Sequence, residues 1–264
     1  MSLDSRIIIE KYAPLGTPIP FQGEYNEWLI YPVRMNHYFE WIGCYDVLDI
    51  DKNAMNDIDI IKMSYLQFLI TQNNNDPSFG LRLSVVLEMC LGLAEDEYIS
   101  YAIKDNDVRL LVSKEKSVEN ADEHNSRIIT AQDFDEIKRI ILYQNVIDYS
   151  DQYIDPDVKA AIEEYYKLKN KGLEHITLEK QIACIQAQNG MTEETIRGMT
   201  VRGFQMLFHT VIDRVDYPIA RNAEAQGAKF DSPIEHWAYK KQKDKFSEAF
   251  TSLDSFKNKI SSAN

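Results

Sequence analysis

Residues 177–227 read TLEKQIACIQAQNGMTEETIRGMTVRGFQMLFHTVIDRVDYPIARNAEAQG and contain three helix patterns in succession. Each pattern follows a threonine, namely Thr177, Thr192 or Thr200, whose hydroxyl can accept a hydrogen bond from a free N–H group of the first turn. Gly190 closes the first pattern, because glycine readily adopts the left-handed conformation that commonly follows a helix. We therefore predict three helices, one after each threonine, and expect them to organise the fold.

The third pattern is the longest and the most apolar. Its hydrophobic residues recur at every third or fourth position, which places them on one face of a helix; they are Val201, Phe204, Phe208, Val211 and Val215. Such a stripe is typical of a hydrophobic core, so we predict a core helix; the alternative is a groove that accepts a helix of another protein. Pro218 lacks a backbone N–H group, and we expect it to kink or end the helix.

The remaining patterns predict a mainly α protein with a small β element. Alternating apolar and polar residues over 98–112, around a polar turn, predict a β-hairpin, and Ile128-Ile129 predict a further short strand. We divide the chain into four regions: an extended, Pro-rich arm with a short strand at 1–34, a helical region at 35–97, the hairpin and a charged loop at 98–130, and a helical region at 131–264.

Start signals place the other helices. In the first half of the chain, Asn36, Asp57 and Ser78 precede apolar patterns that predict helices at about 36–48, 57–70 and 78–93. In the second half, Thr130 with Asp133 resembles a capping box ahead of a helix to about residue 148, and Asp155-Pro156 opens a helix to about residue 171. Residues 232–235, SPIE, form a capping-box pattern and predict a helix that carries Trp237.

A last amphipathic pattern lies near the end of the sequence. Its apolar residues fall on one side of a helix; they are Phe246, Phe250, Leu253 and Ile260. We select these four residues as the candidate partner-binding surface.

The charge composition of the chain limits the classes of molecule that we expect as binding partners. Of the 264 residues, 42 are Asp or Glu and 29 are Lys or Arg, which gives a formal net charge of -13. Phosphate groups of nucleic acids and anionic membranes repel so acidic a protein, so we expect neither as a partner. The sequence predicts no signal peptide and no membrane span, and its three cysteines show no metal-binding or disulfide spacing. The expected location is the cytoplasm, with each cysteine reduced on an apolar helix face.

Motifs for catalysis are incomplete. The glycines are scattered, without a phosphate-binding loop, and no nucleophile elbow occurs. His209 with Asp213, and His37 with Glu40, share a helix face but offer two ligands each where a zinc site needs three or four. We therefore expect a protein without enzymatic activity, cofactor or metal.

Four phrases carry a resemblance to known proteins. They are YPVRMNHYF at 31–39, KMSYL at 62–66, ITAQDFDEI at 129–137 followed by Gln144-Asn145, and NGMTEE at 189–194 followed by Met199-Thr200 and the aromatic helix. Together they resemble proteins from the tail-morphogenesis region of phages that infect Gram-positive bacteria. The fourth phrase is similar to the helical tail assembly chaperones of these phages.

This resemblance implies a function. Tail assembly chaperones bind the tape-measure protein in the host cytoplasm before the tail tube polymerises around it. The expected partners are therefore the tape-measure protein or other tail proteins, with self-association as a further possibility. A virion structural component of the tail, baseplate or connector is the main alternative, because Pro-rich arms and hairpins suit proteins that lock onto neighbours. An enzyme with an unrecognised site is the remaining alternative.

Overall fold

The computed structural model describes residues 3–55, 57–104, 107–114, 126–169, 171, 176–230 and 233–239. The chain divides into two compact units, Met1–Val146 and Ile147–Asn264. The fold is mainly α with two small antiparallel sheets, as predicted. Among the described residues, no helix combines the length and the apolar character that crossing a membrane requires.

The first unit begins with a short helix, α1 (Ser5–Ile7), that continues as a π-helical turn (Ile8–Tyr12) and a 3-10 turn (Ala13–Leu15). Strands β1 (Ile19–Gln22) and β2 (Glu27–Ile30) then form a hairpin. The predicted strand is thus confirmed, but the structure does not clearly show the predicted extended arm. Pro14 is compatible with the helical turns found there, because it lies in the first turn of the 3-10 segment, where its missing N–H group breaks no helical hydrogen bond.

Short helices follow the hairpin. Between a 3-10 turn at Met35–His37 and another at Tyr45–Leu48 lies α2 (Tyr38–Cys44), so Asn36 does not cap the helix predicted there. The single helix predicted from Asp57 is two helices, α3 (Ile58–Lys62) and α4 (Tyr65–Asn75). The division arises because Ser64 Oγ accepts a hydrogen bond from the Gln67 N–H group at 3.1 Å and starts a new helix.

The rest of the first unit follows the predicted order. Helix α5 (Ser78–Leu91) precedes a three-stranded sheet of β3 (Tyr98–Lys104), β4 (Asp107–Ser113) and β5 (Arg127–Ile129), with β4 in the middle. Helix α6 (Ala131–Asn145) follows, and the Thr130 hydroxyl accepts a hydrogen bond from the Asp133 N–H group at 3.1 Å. The hairpin, the third strand and this cap are therefore confirmed, whereas most of the predicted charged loop lies outside the described residues.

The core of the first unit joins both sheets to the helices. The largest fully buried side chains in the described part of this unit are Trp41, Phe68, Phe134, Ile8, Ile19, Ile30, Leu48, Leu66, Leu87, Leu111 and Ile129. They come from the N-terminal turns, both sheets and four of the helices, so each element contributes its apolar face to a shared core.

The second unit consists of α7 (Pro156–Lys169), α8 (Leu178–Asn189), α9 (Glu193–Gly198) and α10 (Val201–Ala225) in its described part. All three predicted threonine caps are confirmed: the hydroxyls of Thr177, Thr192 and Thr200 accept N–H groups three residues ahead at 3.3, 3.2 and 3.0 Å. Gly190 is left-handed with φ 65°, also as predicted.

Of the two outcomes predicted for Pro218, a kink or an end to the helix, the structure excludes the second, because α10 continues to Ala225. One hydrogen bond is lost, and water can solvate the freed carbonyl because this part of the helix is exposed. The helix predicted from Ser232 is wrong over the described residues, since 233–236 are not helical and a 3-10 turn covers Trp237–Tyr239. Phe246, Phe250, Leu253 and Ile260 lie outside the described residues.

Candidate partner-binding surface

The apolar stripe of α10 is buried in the first half of the helix. Val201 and Phe204 are fully buried, and Phe208 and Val211 are nearly so. Helix α8 packs against α10 and contributes Ile185, which is also fully buried. The predicted core role of the stripe is therefore confirmed up to Val211.

The same stripe is exposed in the second half of the helix. Val215 is 40% exposed and Ile219 is 62% exposed, although both continue the spacing of the buried residues. Ile212 and Pro218 lie within about 60° of Val215 around the helix axis, on the basis of 100° per residue. We call Ile212, Val215, Pro218 and Ile219 the distal stripe; it is an apolar helix face on which, among the described residues, Ile212 is half-buried and the other three are exposed.

The chain that follows α10 contacts a different side of the helix. The ring of His236 lies 4.8 Å from the ring of Tyr217, edge to face, and His236 Nδ1 accepts a hydrogen bond from the Ala238 N–H group at 3.2 Å. Tyr217 is about 160° around the helix from Val215. The contact between His236 and Tyr217 therefore lies on the opposite side of α10 from Val215.

Charged residues of opposite sign border the distal stripe. Asp216 lies about 100° from Val215 in one direction, and Arg214 and Arg221 lie about 100° and 120° from it in the other. Asp213, about 160° from Val215, lies on the back of the helix, as Tyr217 does. Arg221 also forms an ion pair with Glu224 on the back of the helix, and both side chains remain exposed to solvent. The charged residues on the two sides of the distal stripe therefore differ in sign.

The first half of α10 also contains a buried charge. Arg202, in the first turn of α10, is buried, and desolvation lowers the pKa of its guanidinium while the nearby Asp148 carboxylate opposes that shift. A guanidinium remains charged even so, and a buried charge is tolerated where other groups compensate it. The periodicity of the sequence did not predict that this arginine is buried, because it lies one position after an apolar residue of the stripe.

A second apolar surface lies in the first unit. Among the described strands, β3 is at one edge of its sheet, and the side chains of Tyr101 and Ile103 are exposed there. They lie on the same face as their cross-strand partners Leu110 and Val108, which are buried. An edge strand with exposed apolar side chains is a common site for adding a strand from another chain.

Polar groups of α6 hold the N-terminal hairpin in place. The Asp133 carboxylate accepts the Glu24 N–H group at 3.1 and 3.2 Å, so it serves the hairpin turn and does not complete the capping box with Thr130. At the other end of the helix, Asn145 Oδ1 accepts the Val33 N–H group at 2.7 Å. These contacts join residues more than 100 positions apart, and we assign them a structural role.

The two residue pairs considered for metal binding and catalysis belong to different units of the chain. His209 is exposed on α10, one turn before Asp213, and His37 and Glu40 are exposed in the first unit. Within the described ranges, no three His, Cys, Asp or Glu side chains are grouped so that they could hold a metal ion.

Comparison with known proteins does not identify a function for this surface. Protein-family models, curated proteins and solved structures give no match to the chain. We therefore identify the distal stripe as the candidate functional surface from its own residues alone.

Proposed function

We propose that the protein is a non-enzymatic assembly factor of a bacteriophage tail, and that it binds an apolar helix of the tape-measure protein before the tail tube forms. The observation that carries the proposal is the distal stripe: α10 continues its apolar face for two turns beyond the core of its own unit. Exposed apolar helix faces are the surfaces through which proteins take up helices of others.

The size of the distal stripe suits a temporary complex. Burying a Val or Ile side chain contributes about 1.5–3 kcal/mol, whereas association costs at least about 4 kcal/mol in lost translational and rotational freedom. Four side chains therefore support weak to moderate affinity. A chaperone needs such affinity, because the tape-measure protein must be released when the tube polymerises.

Co-expression with a phage tape-measure protein tests the proposal. We expect the wild-type protein to co-purify with the tape-measure protein, and the double variant Val215→Asp/Ile219→Asp to lose at least about tenfold of the bound partner. Met206→Asp is the matched control, since Met206 is 36% exposed on the same helix but on the opposite side from Val215. Equal recovery with the double variant and with wild type would exclude the distal stripe as the binding surface.

A virion structural role is the second candidate, and the exposed edge of β3 favours it. Strand addition gives main-chain hydrogen bonds that suit a permanent contact with a neighbouring subunit. Quantitative mass spectrometry of purified virions and of infected-cell lysate separates the two roles. A chaperone is present in the lysate and absent from virions, whereas a structural protein occurs in virions at a fixed copy number.

A further inference from the structure

Asn189 and Gly190, at the end of α8, form the only Asn-Gly pair in the sequence. The glycine nitrogen of such a pair can attack the side-chain amide carbon of the asparagine. Its proton passes through water to the departing NH2 group, which leaves as ammonia. The five-membered cyclic imide that forms then takes up water at one of its two carbonyl carbons and opens to aspartate or isoaspartate. Glycine favours the attack because it has no Cβ atom to obstruct it.

The folded structure leaves this pair accessible to water. Asn189 is the last residue of α8, Gly190 follows it, and both residues are exposed. Apart from the two chain neighbours of Gly190, no described heavy atom lies within 4 Å of the point where a Cβ atom would stand on it. The surroundings of Gly190 therefore leave room for the cyclic imide.

One hydrogen bond of α8 opposes the reaction. The Gly190 N–H group donates to the Gln186 carbonyl at 2.9 Å, and Gly190 has the left-handed conformation that ends the helix, with φ 65°. Because the attacking nitrogen is the donor in this bond, it can react only after the bond breaks. The ends of helices open at little cost in free energy, so the folded protein reaches this open form without unfolding.

We infer that Asn189 is a modification site that converts itself to aspartate and isoaspartate in the folded protein, at a rate set by the opening of the last turn of α8. This modification does not depend on the proposed function. Isoaspartate adds one carbon atom to the main chain, so the bond from Gly190 to Gln186 cannot re-form with its helical geometry. Aspartate places a negative charge at the end of the helix, where the helix dipole disfavours it. Both products therefore loosen the turn that follows the buried Ile185, through which α8 packs against α10.

Timed incubation of the full-length protein in mildly alkaline buffer, with and without urea, tests the inference. Peptide mapping by mass spectrometry measures how much Asn189 has become aspartate or isoaspartate. We expect conversion in the native protein to be at least about tenfold slower than in urea, because the last turn is mostly closed. The same N–H group must be free for amide hydrogen exchange, so the ratio of the two conversion rates should match the open fraction that exchange of Gly190 reports, within about threefold.

Two controls isolate the role of the Asn-Gly pair. Asn222 is exposed near the end of α10 but precedes Ala223, so it should remain intact while Asn189 reacts. Asn189→Gln should also remain intact, because its longer side chain would have to close a six-membered ring. After incubation, amide exchange over residues 187–190 should be at least about threefold faster in the wild-type protein than in Asn189→Gln.

Three results would overturn the inference. The first is equal conversion of Asn189 in the native protein and in urea, since the last turn of α8 would then not control the rate. The second is a native rate that differs from the open fraction of Gly190 by more than about threefold in either direction. The third is conversion of Asn222 as fast as that of Asn189, which would show that the glycine is not the cause.

Discussion

At the scale of single residues, Asn145 shows how one buried polar side chain joins distant parts of the first unit. Its Oδ1 atom accepts the Val33 N–H group at 2.7 Å, and its Nδ2 atom donates to the Ile141 carbonyl at 2.9 Å. The side chain is almost fully buried, so water cannot replace these partners. The hairpin that ends before Val33 is held against α6 by this residue.

We expect Asn145→Ala to reduce the free energy of unfolding by about 1–3 kcal/mol, because the Val33 N–H group would remain buried without an acceptor. Urea denaturation followed by circular dichroism measures the change. Asn189→Ala is the control, since Asn189 is exposed at the end of α8 and its loss should cost under about 0.5 kcal/mol. Equal effects for both variants would contradict the structural role of Asn145.

The three cysteines differ in environment, and this gives a second prediction at the residue scale. Cys90 is fully buried, and burial raises the pKa of its thiol far above the ordinary value, whereas Cys44 and Cys184 are partly exposed. The thiolate is the reactive form. We expect Cys90 to react with a thiol reagent at least about 10³-fold more slowly than Cys184 in the native protein, because it reacts only when the unit opens.

Peptide mapping by mass spectrometry after timed labelling distinguishes the three sites. Raising the pH from 7 to 9 should leave native Cys90 unlabelled, since its raised pKa keeps the thiol protonated across this range. In urea all three should react at similar rates. Rapid labelling of Cys90 in the native protein would show that α5 does not bury it.

At the scale of elements, α10 is one helix with two environments. Its first half supplies core residues, and its second half presents the same stripe to solvent. Phe208 lies in the buried half and is 7% exposed. We expect Phe208→Ala to reduce the free energy of unfolding by about 3–5 kcal/mol, through lost burial and the cavity left behind.

Denaturant melts of Phe208→Ala and of the control Met206→Ala test this difference. Met206 is exposed on the other side of the helix, and its truncation should cost under about 0.5 kcal/mol. A loss for Phe208→Ala as small as that of the control would mean that the first half of the stripe is not core, and the partner surface would then extend along the whole of α10.

Pro218 gives a prediction for the second half of α10. It interrupts the helical hydrogen bonds in a part of the helix that has little packing to hold it. Pro218→Ala restores one N–H donor, so we expect amide hydrogen exchange to slow over residues 215–225. The global free energy of unfolding should change little, because exposed ends of helices open independently of the core. Faster exchange in the variant would contradict this view.

At the scale of the whole molecule, the chain divides after Val146 into two compact units. Helix α6 lies in the first unit, and the side chains of Thr130, Asp133 and Asn145 all find hydrogen-bond partners there. The first unit therefore contains both partners of each of these contacts.

We expect a fragment of residues 1–146 to fold independently, with a cooperative urea transition and a dispersed NMR spectrum. A fragment of residues 1–130, which lacks α6, is the control and should remain unfolded, because Phe134, Ile137, Ile140 and Ile141 supply part of the core. A non-cooperative transition for residues 1–146 would show that the first unit depends on the second.

The sequence by itself determined where many elements begin and end. Caps at Thr130, Thr177, Thr192 and Thr200 and the left-handed Gly190 need only partners within four residues, so both members of each interaction stand side by side in the sequence. The alternating hairpin and the mainly α class were predictable for the same reason: each depends on a repeat that is visible over a few residues.

Only the tertiary structure decided which parts of these elements are covered. The periodicity of the sequence predicted the same burial for Val211 and Val215, yet Val211 is buried and Val215 is exposed. The difference arises because burial depends on where α8 lies. Likewise, Asp133 fitted a capping box in the sequence, but its carboxylate binds the Glu24 N–H group 109 residues away. Solvation and long-range hydrogen bonds depend on distant residues, so the candidate surface on α10 became visible only when the chain was folded.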